Sequence, residues 1–467
     1  MFSIKTSKGP VSFSRFVGPF INGKFQTSLG ATPSRKALLN PCTEELIETV
    51  EEAAPEDVDA AVKSAQAALK GPWKSFTGRK RRNVLLDIAH AVEQNMWNLT
   101  VLEAACGKPI EEAKFDIEEV IECFRYFAGH ADKLHGQNFA IEDNHKSYTV
   151  RKPVGVCGLI TSFNYPLVLA AWKIAPALAC GNAVILKPAP QTPLSSLMLG
   201  ELIAKHTDLP HGVFNVLPGG EAVGSAIVNH KGIHKCSFTG SGGVGRKVMA
   251  AAANSNLKSV TLELGGKSPL IVFADADLNQ AKGIEHDFLK KLKERVERVK
   301  IGDTLDEAYD FGTMVDRVQF ERVMNFIEKA KKDGDSDLLV GGKRHGNKGY
   351  FVEPTIFHNV KENAMIATEE VFGPVLSVMK PFSSLEEVLE RANATPYGLA
   401  SGVWTKDLTK AEHCVQELET GVTWVNCYNL CSSHLPFGGV KASGFGKDLG
   451  AEALNEYTTV KAVTIRI

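Results

Sequence analysis

The chain has 467 residues, with 53 Lys and Arg against 54 Asp and Glu. Near-zero net charge offers no basic excess to nucleic acid or a membrane surface, and no apolar run reaches the eighteen or so residues that span a bilayer. Nine scattered cysteines without a C-x-x-C, and thirteen histidines without ligand spacing, predict reduced thiols, no metal site and a cytoplasmic protein of two or three domains.

The opening MFSIKTSKGPVSFSRF is basic and serine-rich, as transit peptides are, although Gly9-Pro10 would break an amphipathic helix there. Phe20 to Phe25 reads as a hairpin turning at Asn22-Gly23. Helical spacing of apolar residues predicts helices over Ala54–Leu69, Arg79–Gly107 and Ile110–Lys133, with Pro55 opening the first. Gln137 to Lys152 turns to short strand-like stretches, a ribbon suited to an arm. From Val154 the strands VGVCGLI, NAVILKP, VFNVLPG and KCSF alternate with helical runs. That rhythm predicts a parallel, helix-covered sheet, with ligands at the loops Ser162–Pro166, Lys187–Pro190, Pro218–Gly220 and Thr239–Ser241.

Glycine is densest between Cys236 and Pro269. FTGSGGVG follows the apolar KCSF and opens onto a helix, a layout that presents backbone N–H groups to a phosphate. Gly240, Gly242 and Gly245 also satisfy G-x-G-x-x-G. The next turn, LELGGK, holds Glu263 between two leucines. It stands 18 residues beyond Gly245, where that fingerprint places a ribose-binding acid. Its apolar neighbours would equally raise its pKa, as a general base requires. Both roles stand open on pattern alone. A second α/β region starts at PLIVF and at the helix opening Asp275–Leu278. It closes with Trp424–Gly446 and the strand TTVKAVTIRI.

Seven motifs in order resemble those of the NAD(P)-dependent aldehyde dehydrogenases over nearly the whole length. They are SFNYP (Ser162–Pro166), ILKPAPQTP (Ile185–Pro193), FTGSGGVG, LELGGKSP, EEVFGP (Glu369–Pro374), WVN (Trp424–Asn426) and PFGGVKASG. The flavour is that of the cytosolic or retinal-type enzymes. The resemblance implies an α/β fold with a Rossmann-like cofactor domain (1–132 and 152–262) and an α/β catalytic domain (263–450). A small β oligomerisation arm (133–151 and 451–467) would build a homotetramer or homodimer. It also implies a reaction, aldehyde + NAD(P)⁺ + water → carboxylic acid + NAD(P)H, and it assigns roles. Glu263 would be the general base that activates the deacylating water, and Asn164 would donate to the oxyanion. Ser241, with Gly240, Gly245 and the helix behind them, would hold the pyrophosphate. Lys187 would bind the adenosine ribose and Glu370 the nicotinamide ribose, with Leu264 and Phe372 as further cofactor contacts. Phe163, Cys427, Cys431 and Phe437 would line the aldehyde pocket.

Two departures qualify the implied function. Pro190 stands where NAD-preferring members carry an acid toward the ribose hydroxyls, which leaves NAD and NADP both open. The larger departure is the nucleophile. No cysteine lies between Cys236 and Cys414, and no G-Q-x-C occurs anywhere. The text passes from DADLNQA directly to KGIEHDFLKKLKERV, as though a block of roughly two dozen residues were absent between Ala281 and Lys282. Without a thiolate the chain is expected to be inactive toward aldehydes, and a lost strand would also lower its stability. Cys431 is the alternative thiol to consider. The competing reading is a non-catalytic cofactor-binding or structural member, crystallin-like or the product of an alternative transcript.

Overall fold

The computed structural model describes residues 1–276 and 284–467. β1 (Phe2–Thr6) and β2 (Gly9–Phe13) pair antiparallel, so the basic opening is a hairpin. Gly9 takes φ +113° at its turn, and Ile4, Phe13 and Phe16 are buried in the main core. β3 (Phe20–Ile21) and β4 (Lys24–Phe25) form the expected hairpin, with Asn22 and Gly23 both at positive φ. β5 (Arg35–Leu39) and β6 (Leu46–Glu51) pair next.

α1 (Pro55–Lys70) opens on a proline, and Asp57 caps it by accepting from the Ala54 N–H at 2.8 Å. The single helix expected over Arg79–Gly107 is in fact two, α2 (Gly78–Gln94) and α3 (Met96–Ala104). Asn95 divides them. Its side-chain amide donates to the Ala91 carbonyl at 2.8 Å, and its ψ of 19° leaves the helical range. Such local bonding competes with helix continuation. α4 (Ile110–Ala131) follows and packs on α2.

The chain then alternates through β7 (Asn138–Phe139), β8 (His145–Pro153), β9 (Val156–Ile160), α5 (Pro166–Ala179) and β10 (Ala183–Lys187). It continues with α6 (Leu194–His206), β11 (Phe214–Val216), α7 (Glu221–Asn229), β12 (Lys235–Thr239), α8 (Gly242–Ser255) and β13 (Ser259–Glu263). Beyond lie β14 (Leu270–Val272), α9 (Ile284–Glu297), α10 (Arg317–Asp333), β15 (Asp337–Val340), β16 (Thr355–Val360) and α11 (Met365–Thr368). Last come β17 (Val375–Met379), α12 (Leu385–Asn393), β18 (Ala400–Trp404), α13 (Leu408–Glu417), β19 (Val422–Val425), β20 (Gly444–Phe445), α14 (Ala453–Glu456) and β21 (Thr458–Arg466).

An eight-stranded sheet orders these as β20-β13-β12-β9-β10-β11-β3-β4. Its centre, β13-β12-β9-β10-β11, is parallel. Every residue of β9 and β10 is buried, as a parallel strand covered on both faces requires. α5 is buried along its whole length, which suits a helix apolar all round, yet it carries one charge, Lys173. β21 pairs antiparallel with β8 from Thr458↔Pro153 to Arg466↔His145, and β7 extends that ribbon.

The C-terminal region is divided. One three-stranded sheet runs β14-β18-β19 and another β15-β16-β17, each over its own small apolar cluster. On α9 the apolar positions Phe288, Leu292 and Val296, and Val299 just past its end, are only half-buried. The junction Ala281–Lys282, where the resemblance breaks, lies outside the described residues.

Candidate functional site

Parallel register brings the chemistry to one sheet edge. Lys187 pairs with Ile160, Ile160 with Phe238, and Thr239 with Glu263, so these strands end together. The loops leaving β9, β10, β12 and β13 therefore converge where open parallel sheets bind ligands. They carry Asn164, Lys187, Ser241 and Glu263.

Ser241 is the N-cap of α8, and its side chain makes no capping bond. A Cβ added at Gly243 would meet open space, so the first turn of α8 has room in front of its amides. Gly240 donates its N–H to the Glu263 carbonyl at 3.0 Å and ties this turn to the next. A Cβ at Gly245 would lie 2.7 Å from Leu264, so glycine there allows helix and strand to close up. Lys187 is buried and donates to the Gly219 carbonyl at 2.7 Å and the Pro188 carbonyl at 3.0 Å. Burial lowers its ammonium to about 8. A helix N-terminus with open space, the buried Thr239 hydroxyl left without a partner among the described residues, and a buried lysine together fit a dinucleotide's phosphate and ribose.

Glu263 is buried, and neither carboxylate oxygen meets a donor in hydrogen-bonding geometry among the described residues. Burial pushes its pKa well above the usual carboxylate range, and the Asp448 charge pushes the same way. Lys173 and Lys447 partly oppose them. Lys173, fully buried on α5, pairs with Asp448 at 2.5 Å, while Lys447 donates to the Gly438 carbonyl. A Cβ on Gly438 would stand 2.6 Å from the Glu263 Oε1, so glycine clears space for the carboxylate. Approach of the Gly439 backbone N–H opposes the rise weakly, and a buried carboxylate with a raised pKa can take a proton from water.

Asn164 lies on the wall of a cavity of about 260 Å³, its Oδ1 buried without a partner among the described residues. Phe163, Phe372, Glu103, Cys106, Lys108 and Thr313 share that wall. The Phe163 and Phe372 rings meet edge to face at 5.5 Å. Phe372 sits at φ +58°, a left-handed conformation rare for a bulky side chain, and its carbonyl accepts from Gln319 at 2.7 Å. Two residues earlier, Glu370 accepts from the Gly266 N–H at 3.2 Å. Burial raises the Glu370 pKa and lowers that of neighbouring Lys267. A continuous path of contacts thus runs from Gly240 through Glu263, Leu264, Gly266 and Glu370 to Phe372, Phe163 and Asn164.

Cys427, Cys431 and Phe437 are not among the residues lining that cavity. Phe437 packs on Trp172 at 5.2 Å, and its N–H and carbonyl bond those of Asp448. Burial pushes the Cys431 thiol up to about 11, the reverse of nucleophile activation. Sequence reasoning passed over Lys173, Asp448, Glu103 and Cys106. Lys173 had a signal, since a lone charge in PLVLAAWKIAPALA must find a counter-charge when that helix is buried. Glu103 had none. It looks like a solvated helix acid, yet burial raises its pKa to about 7, with Lys108 opposing. Cys106 joins the Asn164 cavity only through tertiary packing, and burial and then the Glu103 charge raise its thiol well above the ordinary range.

A model of the Aldehyde dehydrogenase family matches residues 30–283 and 281–463. Human Retinaldehyde dehydrogenase 3 is 44% identical over 483 positions, covering 97% of this chain and 93% of that one. Aldehyde dehydrogenase 1A1 of Mesocricetus auratus is 43% identical over 478 positions, covering 96% and 94%. Both alignments are longer than this chain, so the relatives carry residues that it lacks. The family match divides at 281–283. Among solved structures, the NAD⁺ complex of a Bacillus cereus aldehyde dehydrogenase superposes with a TM-score of 0.93 at 40% identity, covering 97% and 96%. A P. syringae indole-3-acetaldehyde dehydrogenase variant bound to NAD⁺ and IAA gives 0.94 at 35%, covering 98% of both chains.

Proposed function

The chain belongs to the aldehyde dehydrogenase family, and we propose that it binds a nicotinamide dinucleotide and admits an aldehyde but does not turn it over through a thioester. What carries this reading is a pairing of facts. The residues that the motifs assign to the dinucleotide and the oxyanion lie at converging strand ends, which supports the binding half, while no cysteine exists between Cys236 and Cys414. The dinucleotide, when bound, supplies the hydride acceptor. Lys187, Glu370, Leu264, Phe372 and the Ser241 turn hold it, with Pro190 leaving NAD and NADP both acceptable. Asn164 donates its amide N–H toward an aldehyde oxygen. Glu263 holds or takes a proton, poised between the Asp448 charge and the Lys173 and Lys447 ammoniums. Cys106 is the thiol nearest this role, and its raised pKa argues against it. The exposed edge of β21 favours assembly into a homodimer or homotetramer, and the scattered free thiols favour the cytoplasm.

Calorimetry with NAD⁺ and NADP⁺, and NADH production from an aliphatic aldehyde with the Mesocricetus auratus relative as reference, test both halves. Dinucleotide binding is expected, with turnover lower by on the order of 10⁶, the loss seen when a covalent nucleophile is removed in a protease. Turnover within tenfold of the relative, abolished by Cys106→Ser or Cys431→Ser, overturns the non-catalytic half. A folded protein that binds neither dinucleotide overturns the other.

A further inference from the structure

Four lysines are buried among the described residues, and each is committed to oxygen. Lys173 pairs with Asp448 at 2.5 Å and Lys235 with Glu456 at 3.5 Å. Lys258 donates to the Val228 carbonyl and the Ser255 hydroxyl, and Lys187 to the Gly219 and Pro188 carbonyls. Lys267, the last residue of LELGGK, is different. It is half-buried, so part of its surface stays open to solvent. Burial still lowers its ammonium, and the Glu370 charge opposes. More of this side chain is therefore neutral amine near neutral pH than at an exposed lysine. Two glycines bring its loop onto Glu370. A Cβ on Gly265 would collide with the Glu370 carboxylate, and one on Gly266 would stand 2.8 Å from the Leu399 Cβ. The Gly266 N–H donates to Glu370 at 3.2 Å. Burial raises the Glu370 pKa, against that N–H and the Arg322 and Lys267 charges, so this acid keeps a proton more readily than an exposed one. Phe372, two residues on, shares a cavity wall with Phe163 and Asn164.

A partly desolvated amine beside an acid is the pairing with which an aldehyde condenses. We infer that Lys267 is a covalent attachment point for aldehydes, which it holds as a Schiff base with Glu370 as counter-ion. The inference rests on the proposed admission of an aldehyde. The Lys267 nitrogen attacks the carbonyl carbon, and the proton it sheds passes to the oxygen, which gives a carbinolamine. Glu370 then protonates the hydroxyl, the C–O bond breaks and water leaves. The nitrogen lone pair forms the C=N bond, and the iminium lies against the Glu370 carboxylate. No oxidant or reductant takes part, and the reverse steps release the aldehyde unchanged. An aromatic aldehyde suits the place, because conjugation stabilises its imine and the Phe372 and Phe163 rings offer it edges and faces.

The probe is benzaldehyde, mixed with the full chain and with sodium cyanoborohydride, which reduces an imine to a stable secondary amine. Peptide mass spectrometry should find the benzyl group on Lys267 at a rate on the order of tenfold above that of an exposed lysine such as Lys36. Lys267→Arg keeps the charge but forms no imine, so it should lose the adduct while the thermal midpoint holds. Glu370→Gln keeps the amine but removes the acid, and should slow the adduct about tenfold. Without reductant, and with no variant needed, an imine absorbance should appear on mixing and vanish with hydroxylamine. Label spread evenly over exposed lysines, label on Lys187 in place of Lys267, or label retained by Lys267→Arg overturns the inference. An unchanged rate in Glu370→Gln overturns the part given to Glu370. Benzaldehyde that binds in calorimetry yet leaves no adduct overturns the inference alone. Benzaldehyde that does not bind overturns the admission of an aldehyde with it.

Discussion

The two halves of the molecule handle parallel sheet differently. In the eight-stranded sheet every residue of β9 and β10 is buried, with partners on both sides and helices on both faces. In the C-terminal region the parallel pairs β14-β18 and β16-β17 each end, among the described residues, at a strand with a half-exposed leucine. Parallel sheet is stable when fully covered, so the first half should behave as the folding unit and the second as the yielding one. The candidate site straddles both, with Lys187, Ser241 and Glu263 on the covered sheet and Glu370 and Phe372 on the approach to β17.

The largest effect should come from removing the difference. Grafting the segment of the Mesocricetus auratus relative after Ala281 should raise NADH production by on the order of 10⁶ and lift the thermal midpoint. A graft that folds but stays inactive would show that the nucleophile is not what the chain lacks. Next is Lys173→Met, which leaves Asp448 buried without its counter-charge and should cost about 3–5 kcal/mol in denaturant unfolding. A cost below about 1 kcal/mol would mean that the covered half tolerates the loss of its deepest ion pair. The sharpest direct comparison sets Ile185→Ala against Leu376→Ala. The first empties a fully buried site and should cost about 2–5 kcal/mol. The second should stay within about 0.5 kcal/mol, and equal costs would erase the distinction between the halves.

Glu103 yields a smaller, pH-dependent effect. Its folded pKa of about 7 exceeds the ordinary 4.5, so between those values the folded chain binds more protons than the unfolded one. Stability therefore falls as pH rises from 4.5 to about 7, by up to about 3 kcal/mol, and is flat on either side. Glu103→Gln should remove that slope and raise the midpoint at pH 8, and a slope that persists would assign it to other groups. The smallest effect is Lys187→Ala, which should weaken dinucleotide binding about tenfold, or about 1.4 kcal/mol, in calorimetry. Unchanged affinity would remove Lys187 from the cofactor site.

Much of the covered half was legible because its signals are local. A five-residue apolar run, a glycine turn and a following helix fix one strand and its crossover at a time, and so Lys187, Ser241 and Glu263 could be placed at strand ends before their register was known. The break at Asn95 was not legible, since a helix-compatible pattern runs through it and one side-chain bond decides. Nor could the hairpin of residues 2–13 be read, because its basic composition says little about the apolar faces of Ile4, Phe13 and Phe16.

By itself the sequence determined the family, the order of the motifs and the absence of a cysteine between Glu263 and Cys414, all of which are statements about residue identity along the chain. The tertiary structure alone decided which charges are buried together. Lys173 and Asp448 stand 275 residues apart, and no local pattern could pair them or set them beside Glu263. It also decided that Glu103 is a buried acid and that Asn164 and Phe372 share one cavity. Above all, it decided that the C-terminal region divides into two small sheets, β14-β18-β19 and β15-β16-β17. Burial, electrostatic coupling and strand pairing arise between segments distant in sequence, so they exist only once the chain has closed upon itself.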